Sequence, residues 1–265
     1  MAASVPPRLA ENVARVRARI DDACRKSGRQ PGCVRIVAVT KYAIPSIAAA
    51  LIELGLRDLG ENRVQQLVER AELLGATIEN WSPGTADGGT ADGASGPRSA
   101  APVWHMIGHL QRNKVKAVLG CTRIIHSVDS IRLAEEIAHH AAAQGIRVDV
   151  FMEVNVAGEE SKDGAAWSDA PALAQRIGEL ASLNFQGLMT MAPLSCPGEA
   201  ARPYFAKLRG LRDDLVARGI APATCRELSM GMSADYAAAV EEGASVIRIG
   251  STLFEGVEGY SDPRQ

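Results

Sequence analysis

The 265-residue sequence predicts an α/β fold, a single (β/α)8 TIM-type barrel preceded by an N-terminal helix. Three observations lead to this prediction. Eight short β-rich runs alternate with alanine-rich helical patterns, and this alternation implies a parallel sheet. The count of eight favours closure into a barrel over an open doubly wound sheet. The chain length and a hydrophobic content of 46% suit one barrel with a substantial core.

The first element is a helix over residues 8–27. Its apolar side chains recur at helical spacing, namely Leu9, Val13, Val16, Ile20 and Cys24. Only about fifteen residues follow the eighth strand, too few for a full closing helix. We therefore expect the N-terminal helix to take the place of the helix that would otherwise complete the outer ring.

The strands are expected where short β-rich runs stand between helical segments. In chain order they are Arg35–Thr40, Asp58–Gly60, Val103–Ile107, Arg123–His126, Arg147–Val154, Phe185–Met189, Glu227–Met230 and Val246–Ile249.

One segment does not fit this alternation. Residues 82–102, SPGTADGGTADGASGPRSAAP, contain a tandem TADG and almost no residue that can pack in a core. This composition predicts a flexible low-complexity insert. Loops that lead from a helix into a barrel strand lie on the face opposite the active site. We therefore expect one domain over residues 1–265, with an insert that has no catalytic role.

Composition narrows the function classes. The formal net charge is −2 and the isoelectric point is near 6.2, so no basic field favours nucleic acid or an anionic membrane. We find no signal peptide and no apolar run long enough to cross a bilayer. The five cysteines are odd in number, scattered and never spaced as CxxC. This pattern argues against a zinc site or disulfide framework and predicts a cytoplasmic protein.

Polar residues at the carboxyl ends of barrel strands form the active site in this fold. The predicted ends carry Lys41, Glu61, Asn62, His109, Ser127, Asp129, Asn155, Thr190, Ser229, Ser233 and the run RIGST at 248–252. Serine and asparagine after a strand are usually caps or turn residues, and we interpret Ser127 and Asp129 as caps. Four histidines without metal-ligand spacing are interpreted as packed or surface residues: His105, His126, His139 and His140.

Lys41 ends the buried-strand pattern IVAVTKY at residues 36–42. A lysine at a strand end can simply reach solvent. Partial burial instead favours its neutral amine, which attacks an aldehyde to form an imine. Two chemistries use such a lysine on a barrel: class I aldolases and pyridoxal 5'-phosphate (PLP) proteins.

The eighth strand helps to choose between them. Gly250 and Ser251 follow VIRI directly, and backbone N–H groups at such a turn form an anion site. The loops after strands seven and eight are the usual phosphate site of barrels. LSMGMS at 228–233 adds a glycine and two hydroxyls, and no nucleotide-binding glycine motif occurs in a suitable context.

Seven stretches resemble, in this order, the pyridoxal phosphate homeostasis protein (YggS/PROSC) family: VAVTKY, GENRVQQL, WHMIGHLQRNKVK, IHSVDS, FMEVNVAGEESKDG, GLMTMAP and LSMGMSADYAAAVEEGASVIRIGSTLFEG. The resemblance spans roughly residues 10–256, apart from the insert. It implies the barrel domain of alanine racemase standing alone, with PLP as its cofactor.

The resemblance also assigns residues. It implies that Lys41 carries PLP as a Schiff base, and that Arg248 faces the pyridine nitrogen. The other implied contacts are Asn62 and His109 at the barrel mouth, and Ser229, Met230, Gly250 and Ser251 around the phosphate. An arginine keeps the ring nitrogen unprotonated and weakens the ring as an electron sink.

Three functions remain open, in this order of preference: PLP homeostasis or carriage without substantial catalysis, amino-acid racemisation, and aldol chemistry. Racemisation needs a second acid/base group opposite the lysine. The chain lacks the β-rich domain that supplies it in alanine racemase, and none of its four tyrosines is an obvious replacement. An aldolase needs a relay residue beside the lysine, to which the sequence does not point. We expect a monomer with apo PLP enzymes as partners.

Overall fold

A computed structural model of the chain describes residues 5–75, 101–159 and 162–261. Eight parallel strands pair in chain order, and the eighth pairs with the first to close a barrel. The strands are β1 (Arg35–Val39), β2 (Asp58–Glu61), β3 (Val103–Met106), β4 (Ile124–Val128), β5 (Val148–Glu153), β6 (Leu183–Met189), β7 (Glu227–Ser229) and β8 (Val246–Ile249). The predicted fold is confirmed, and the predicted strand ends differ from these by at most two residues.

Helices surround the barrel between successive strands. They are α1 (Pro7–Lys26), α2 (Pro45–Glu53), α3 (Val64–Leu74), α4 (Val115–Leu119), α5 (Ile131–Ala143), α6 (Ala170–Glu179), α7 (Arg202–Ala217), α8 (Tyr236–Glu241) and α9 (Ser251–Phe254). Within the described residues, no helix combines the length and the apolar character needed to cross a membrane.

Helix α1 packs on the outside of the barrel next to the short helix α9 that follows β8. It packs against α8 and α9 through an apolar face that includes Leu9, Val13 and Val16. The amide of Asn12 donates to the carbonyl of Leu253 at 3.0 Å, which ties the helix to α9. On its other side Arg17 donates to the carbonyl of Leu54, just after α2. The N-terminal helix thus covers the seam between β8 and β1, as predicted.

The barrel interior has an apolar middle layer formed by Val37, Ile124, Phe151, Met189 and Val246. Gly60 packs against this layer. A Cβ at this position would come within 2.8 Å of the Val37 side chain, so a larger residue does not fit. At the amino ends of the strands the interior is polar. Arg35 and Asp58 form a buried ion pair there, with an N–O distance of 2.9 Å. The carboxylate of Asp149 accepts hydrogen bonds from Asn184 and Gln186.

The predicted insert at 82–102 lies outside the described residues, except for Ala101 and Pro102. The carbonyl of Ala101 accepts a hydrogen bond from Arg57 at 2.8 Å, immediately before β2. The chain therefore enters β3 at the amino ends of the strands, opposite the predicted site. The single-domain organisation over 1–265 and the flexibility of the insert stay predictions.

Gly187 provides a test of the register between β6 and β7. A Cβ at this position would lie 1.8 Å from the carbonyl oxygen of Glu227, and the backbone cannot give way without breaking the strand pairing. We expect Gly187→Ala to lower the free energy of unfolding by about 3 kcal/mol in urea titrations. The matched control is Gly210→Ala inside α7, where nothing lies within 4 Å. The control should gain about 0.5–1 kcal/mol, and an equal response of the two variants would contradict this register.

Candidate functional site

The carboxyl ends of the strands meet at one mouth of the barrel. Lys41 follows β1 after one residue and is half-buried. Its Nζ lies 4.9 Å from the centre of the Tyr42 ring, and its charge acts on the carboxylate of Glu61 at the end of β2. The amide of Gln66 donates to the Lys41 carbonyl at 3.4 Å. The lysine backbone is thus held by α3, while its amine belongs to the mouth.

Glu61 is a fully buried acid beside Lys41. Its Oε1 accepts a hydrogen bond from the Thr40 hydroxyl at 2.5 Å and pairs with Arg70 at 3.1 Å. Burial raises the pKa of Glu61, and the Thr40 bond and the charges of Arg70 and Lys41 only partly oppose this. Its Oε2 has no hydrogen-bond partner within the described residues. Glu61 is therefore a buried acid with a raised pKa within electrostatic reach of the lysine.

Asn62 follows Glu61 and also carries an unpaired acceptor. Its buried Oδ1 has no hydrogen-bond partner in the described part of the chain. The end of β3 packs tightly against it, since a Cβ on Gly108 would lie 2.3 Å from the Asn62 carbonyl oxygen. A buried acceptor without a partner is costly, so this oxygen is an unsatisfied polar group next to the strand ends.

Arg248 is buried in the interior at the carboxyl end of β8. Its Nη1 donates to the Ser229 carbonyl at 2.8 Å and to the Ser229 hydroxyl at 2.7 Å, and its Nη2 donates to the Thr190 carbonyl at 2.9 Å. These bonds leave two of the five guanidinium N–H groups without an acceptor among the described residues. Burial lowers the pKa of Arg248 to about 10, which leaves it charged at neutral pH.

The turn after β8 carries a cluster of donors. The Ser233 hydroxyl oxygen accepts from the backbone N–H of Gly250 at 3.2 Å and of Thr252 at 3.3 Å. Ser251 lies between these two residues, and its hydroxyl joins those of Ser233 and Thr252. Gly231, just after β7, packs closely against α8. Its φ is +93°, and a Cβ there would lie 2.5 Å from the Ala239 side chain, so only glycine fits. Two N–H groups of the turn thus already donate to Ser233, and the hydroxyls gathered there are groups that suit a phosphate.

Ser229 and Met230, predicted as phosphate contacts, are engaged elsewhere. The Ser229 hydroxyl is buried between Arg248 and His126, at 2.7 and 2.8 Å. Met230 is fully buried in the core outside the barrel, and its N–H donates to the Val246 carbonyl. Ser233, which the sequence placed at the seventh strand without a role, provides the hydroxyl at the Gly250 turn instead.

His109 lies at the rim of the mouth, where half of its side chain is exposed. Its Nδ1 is 3.5 Å from a carboxylate oxygen of Asp129 and 3.7 Å from one of Asp163. The interpretation of Asp129 as a helix cap is therefore wrong. Ser130 caps α5 through a bond from the Leu133 N–H, and Ser127 is buried inside β4.

Glu153, at the end of β5, is an acid that the sequence reasoning missed. It is 3% exposed, and burial raises its pKa from 4.5 to about 7, although the charge of Arg248 opposes this rise. Asp163 and Asp129 raise the pKa further. The sequence alone shows only that one acid interrupts the apolar residues of FMEV at the end of a predicted strand.

The raised pKa of Glu153 predicts a pH-dependent stability. The folded protein holds this proton more tightly than the unfolded chain. The contribution of Glu153 to the free energy of unfolding is therefore fully present below pH 4.5 and is lost as the pH rises through about 7. We expect the free energy of unfolding of Glu153→Gln to exceed that of the wild type by about 3 kcal/mol at pH 8 and by less than about 1 kcal/mol at pH 5. Urea titrations at both pH values measure this, with Glu69→Gln on the exposed face of α3 as control. An equal difference at both pH values would contradict the assignment.

Comparison with known proteins places this site in context. Residues 8–257 match the family described as alanine racemase, N-terminal domain. The chain is 37% identical to the "Pyridoxal phosphate homeostasis protein" of Aquifex aeolicus over 92% of this chain and 96% of the relative. It is 35% identical to the protein of the same name from Pseudomonas aeruginosa over 96% of this chain and 98% of the relative.

Among solved structures, the chain is similar to PipY of Synechococcus elongatus PCC7942, which was determined with PLP bound. The identity is 28%, the TM-score is 0.73, and the match covers 93% of this chain and 99% of PipY. An alanine racemase of Clostridium difficile 630 matches with a TM-score of 0.66 at 14% identity, over 97% of this chain and 59% of the racemase. This second likeness shows a shared fold.

Proposed function

The chain belongs to the pyridoxal phosphate homeostasis protein family, and on that premise we propose that it holds PLP covalently on Lys41 for PLP homeostasis, without substantial catalysis. The single observation that carries this proposal is the combination at the barrel mouth of a half-buried lysine, a buried arginine with unused donors and a hydroxyl-rich turn. PLP bound to PipY, a structure of the same fold at 28% identity, supports the choice of ligand.

Lys41 supplies the primary amine in this proposal. When bound, PLP contributes an aldehyde that condenses with an amine, with loss of water, and a conjugated ring that can accept electrons. An amine attacks only in its neutral form, so a proton must leave Lys41 first. Glu61 lies beside it with a raised pKa and an unpaired Oε2, and it is suited to take this proton.

Arg248 sets the electronic character of the site. Two of its N–H groups are available to a ring nitrogen as acceptor. A permanent cation at that position keeps the nitrogen unprotonated, whereas a carboxylate would stabilise the protonated, electron-withdrawing form. This feature disfavours carbanion chemistry and supports carriage.

We propose that the phosphate contacts Gly250 and Ser251, with Ser233 as a further hydroxyl. In the same proposal Asn62 and His109 line the cofactor side of the barrel mouth, with His109 at the rim. Ser229 and Met230 contribute indirectly. Ser229 holds Arg248 through its hydroxyl, and the Met230 N–H holds β7 against β8.

Racemisation remains the second candidate because of Glu153. A racemase needs two groups that exchange protons on opposite faces of its substrate. Lys41 is one such group, and a buried acid with a pKa of about 7 at the same mouth is available as another. The weak electron sink implied by Arg248 makes this the less favoured function.

Three further points belong to the proposal. We propose that the protein is a monomer, that it delivers PLP to apo PLP enzymes, and that it works in the cytoplasm. Five cysteines without a disulfide between them support a reducing compartment.

The test separates carriage from turnover. PLP-loaded protein is incubated with a panel of L-amino acids, and chromatography follows enantiomer ratios and keto acids. A parallel assay measures reactivation of an apo PLP enzyme. We expect reactivation without amino-acid products. Racemisation with ordinary turnover that Lys41→Ala abolishes would overturn the proposal, and loss of that turnover in Glu153→Gln would identify the second group.

A further inference from the structure

Two histidines cross the barrel interior below the mouth. His105 on β3 and His126 on β4 are both fully buried, as the sequence interpretation of packed histidines allowed. The Nδ1 of His105 lies 3.0 Å from the Nε2 of His126. At the outer ends, the Nε2 of His105 lies 2.9 Å from Asp58 Oδ1, and the Nδ1 of His126 lies 2.8 Å from the Ser229 hydroxyl. These residues connect Arg248 at the mouth to the Arg35–Asp58 ion pair at the opposite end.

When both imidazoles are neutral, the hydrogen bonds that link Asp58, His105, His126 and Ser229 can run in only one direction. Asp58 as a carboxylate accepts, so His105 carries its proton on Nε2 and accepts on Nδ1. His126 must then donate from Nε2 and accept on Nδ1. The Ser229 hydroxyl donates to that nitrogen, and its oxygen is left to accept from Arg248.

Neutral imidazoles are what this environment favours. Burial lowers the pKa of His105, although the bond to Asp58 opposes this effect. Burial lowers the pKa of His126 well below its ordinary value, and the positive charges of Arg248 and Arg35 add to it. The His126 ring also stacks on Phe151, with centroids 4.3 Å apart, which fixes its orientation.

We propose that His105 and His126 are positioning residues for Arg248, which fix the Ser229 hydroxyl so that its oxygen accepts from the guanidinium. The proposal rests on the proposed function, because Arg248 is the group assigned to the ring nitrogen of PLP. A Ser229 hydroxyl without an acceptor on its far side is free to rotate. Its O–H could then point toward the guanidinium and turn the oxygen lone pairs away, and the guanidinium would lose one of its three fixed contacts.

The first experiment uses cofactor-free protein, so it does not depend on PLP binding. Two-bond ¹H–¹⁵N correlation spectra of ¹⁵N-histidine protein show which ring nitrogen carries hydrogen, and spectra of His105→Gln and His126→Phe assign the signals. We expect both rings to be neutral, with hydrogen on Nε2. Hydrogen on Nδ1 of His126, or an imidazolium at either position, would overturn the proposal. If one of these variants does not fold, Ser229→Ala provides the assignment. Ser229 contacts His126 directly, so this change should shift the His126 signals more than those of His105.

The second experiment measures PLP release from the loaded protein, by absorbance, in a double-mutant cycle. His126→Phe removes one buried hydrogen bond of the network that holds Arg248, and it keeps an aromatic ring against Phe151. We expect PLP release to be about tenfold faster in this variant. If His126 acts through Ser229, the same change in a Ser229→Ala background should accelerate release less than about twofold. The proposal would be overturned if His126→Phe accelerated release by the same factor in both backgrounds, or if it left the release rate of the wild type unchanged.

The control is His139→Gln on the exposed face of α5, which should leave both the release rate and the bound absorbance spectrum unchanged. The two arms also distinguish this proposal from the proposed function. Absence of PLP binding by the wild type would refute the function while the tautomers could still be as expected. Normal PLP binding with the wrong tautomers would refute the positioning role alone.

Discussion

Lys41→Ala is expected to lose covalent attachment of PLP completely and to weaken PLP affinity by about a hundredfold or more, equivalent to about 2.7 kcal/mol. The contacts that we propose for Arg248 and the Gly250 turn are hydrogen bonds, which do not prevent release of PLP. The visible absorption of the loaded wild type should therefore disappear in the variant. Absorbance spectra and equilibrium dialysis measure the two effects.

The control for this prediction is Lys114→Ala, a half-buried lysine in the short helix before α4. It should keep the absorption and the affinity of the wild type. Lys41→Arg adds a second comparison, since it retains a positive charge but has no amine that condenses with an aldehyde. Retained absorption in Lys41→Ala, or its loss in Lys114→Ala, would contradict the assignment of Lys41.

Asp58→Ala is expected to lower the free energy of unfolding by about 3 kcal/mol, because removing one partner of a buried ion pair leaves the other buried charge poorly compensated. Asp58 accepts from Arg35 and from His105 at 2.9 Å each, and both partners are buried. Urea titration at neutral pH measures the loss.

Two variants show where that loss comes from. Asp58→Asn keeps an oxygen that can accept from His105 but removes the charge, so it should be intermediate. Asp213→Ala breaks an exposed ion pair with Arg212 on α7 and should have little effect. Equal stability of Asp58→Ala and the wild type would contradict the role given to the buried pair.

Much of the fold could be predicted because barrel strands follow a local pattern. Each β-rich run is flanked by helical segments, so strand number and order follow from the chain itself. The N-terminal helix α1 could also be predicted, because its apolar side chains recur at helical spacing. The ends of β4 could not be predicted as well. A shift in register between Ile125 and Val128 extends this strand, so Ser127 lies within it and Ser130 becomes the cap.

The candidate site divides along the same line. Lys41, Asn62 and Gly250 lie at strand ends, a position that can be found by reading along the chain. His126 and Ser229 are 103 residues apart, and only closure of the barrel brings them to 2.8 Å. A histidine with no metal-ligand spacing therefore gave no local signal of its role. Glu153 was missed because its raised pKa depends on burial by neighbouring strands.

Borohydride reduction of PLP-loaded protein, followed by proteolysis and mass spectrometry, identifies the lysine that carries PLP. Reduction makes the bond between PLP and its lysine permanent, so the labelled peptide identifies the residue. We predict one labelled peptide, containing Lys41, with about one PLP per chain. A label on Lys114 or Lys162, or no label on protein that has bound PLP, would contradict the account.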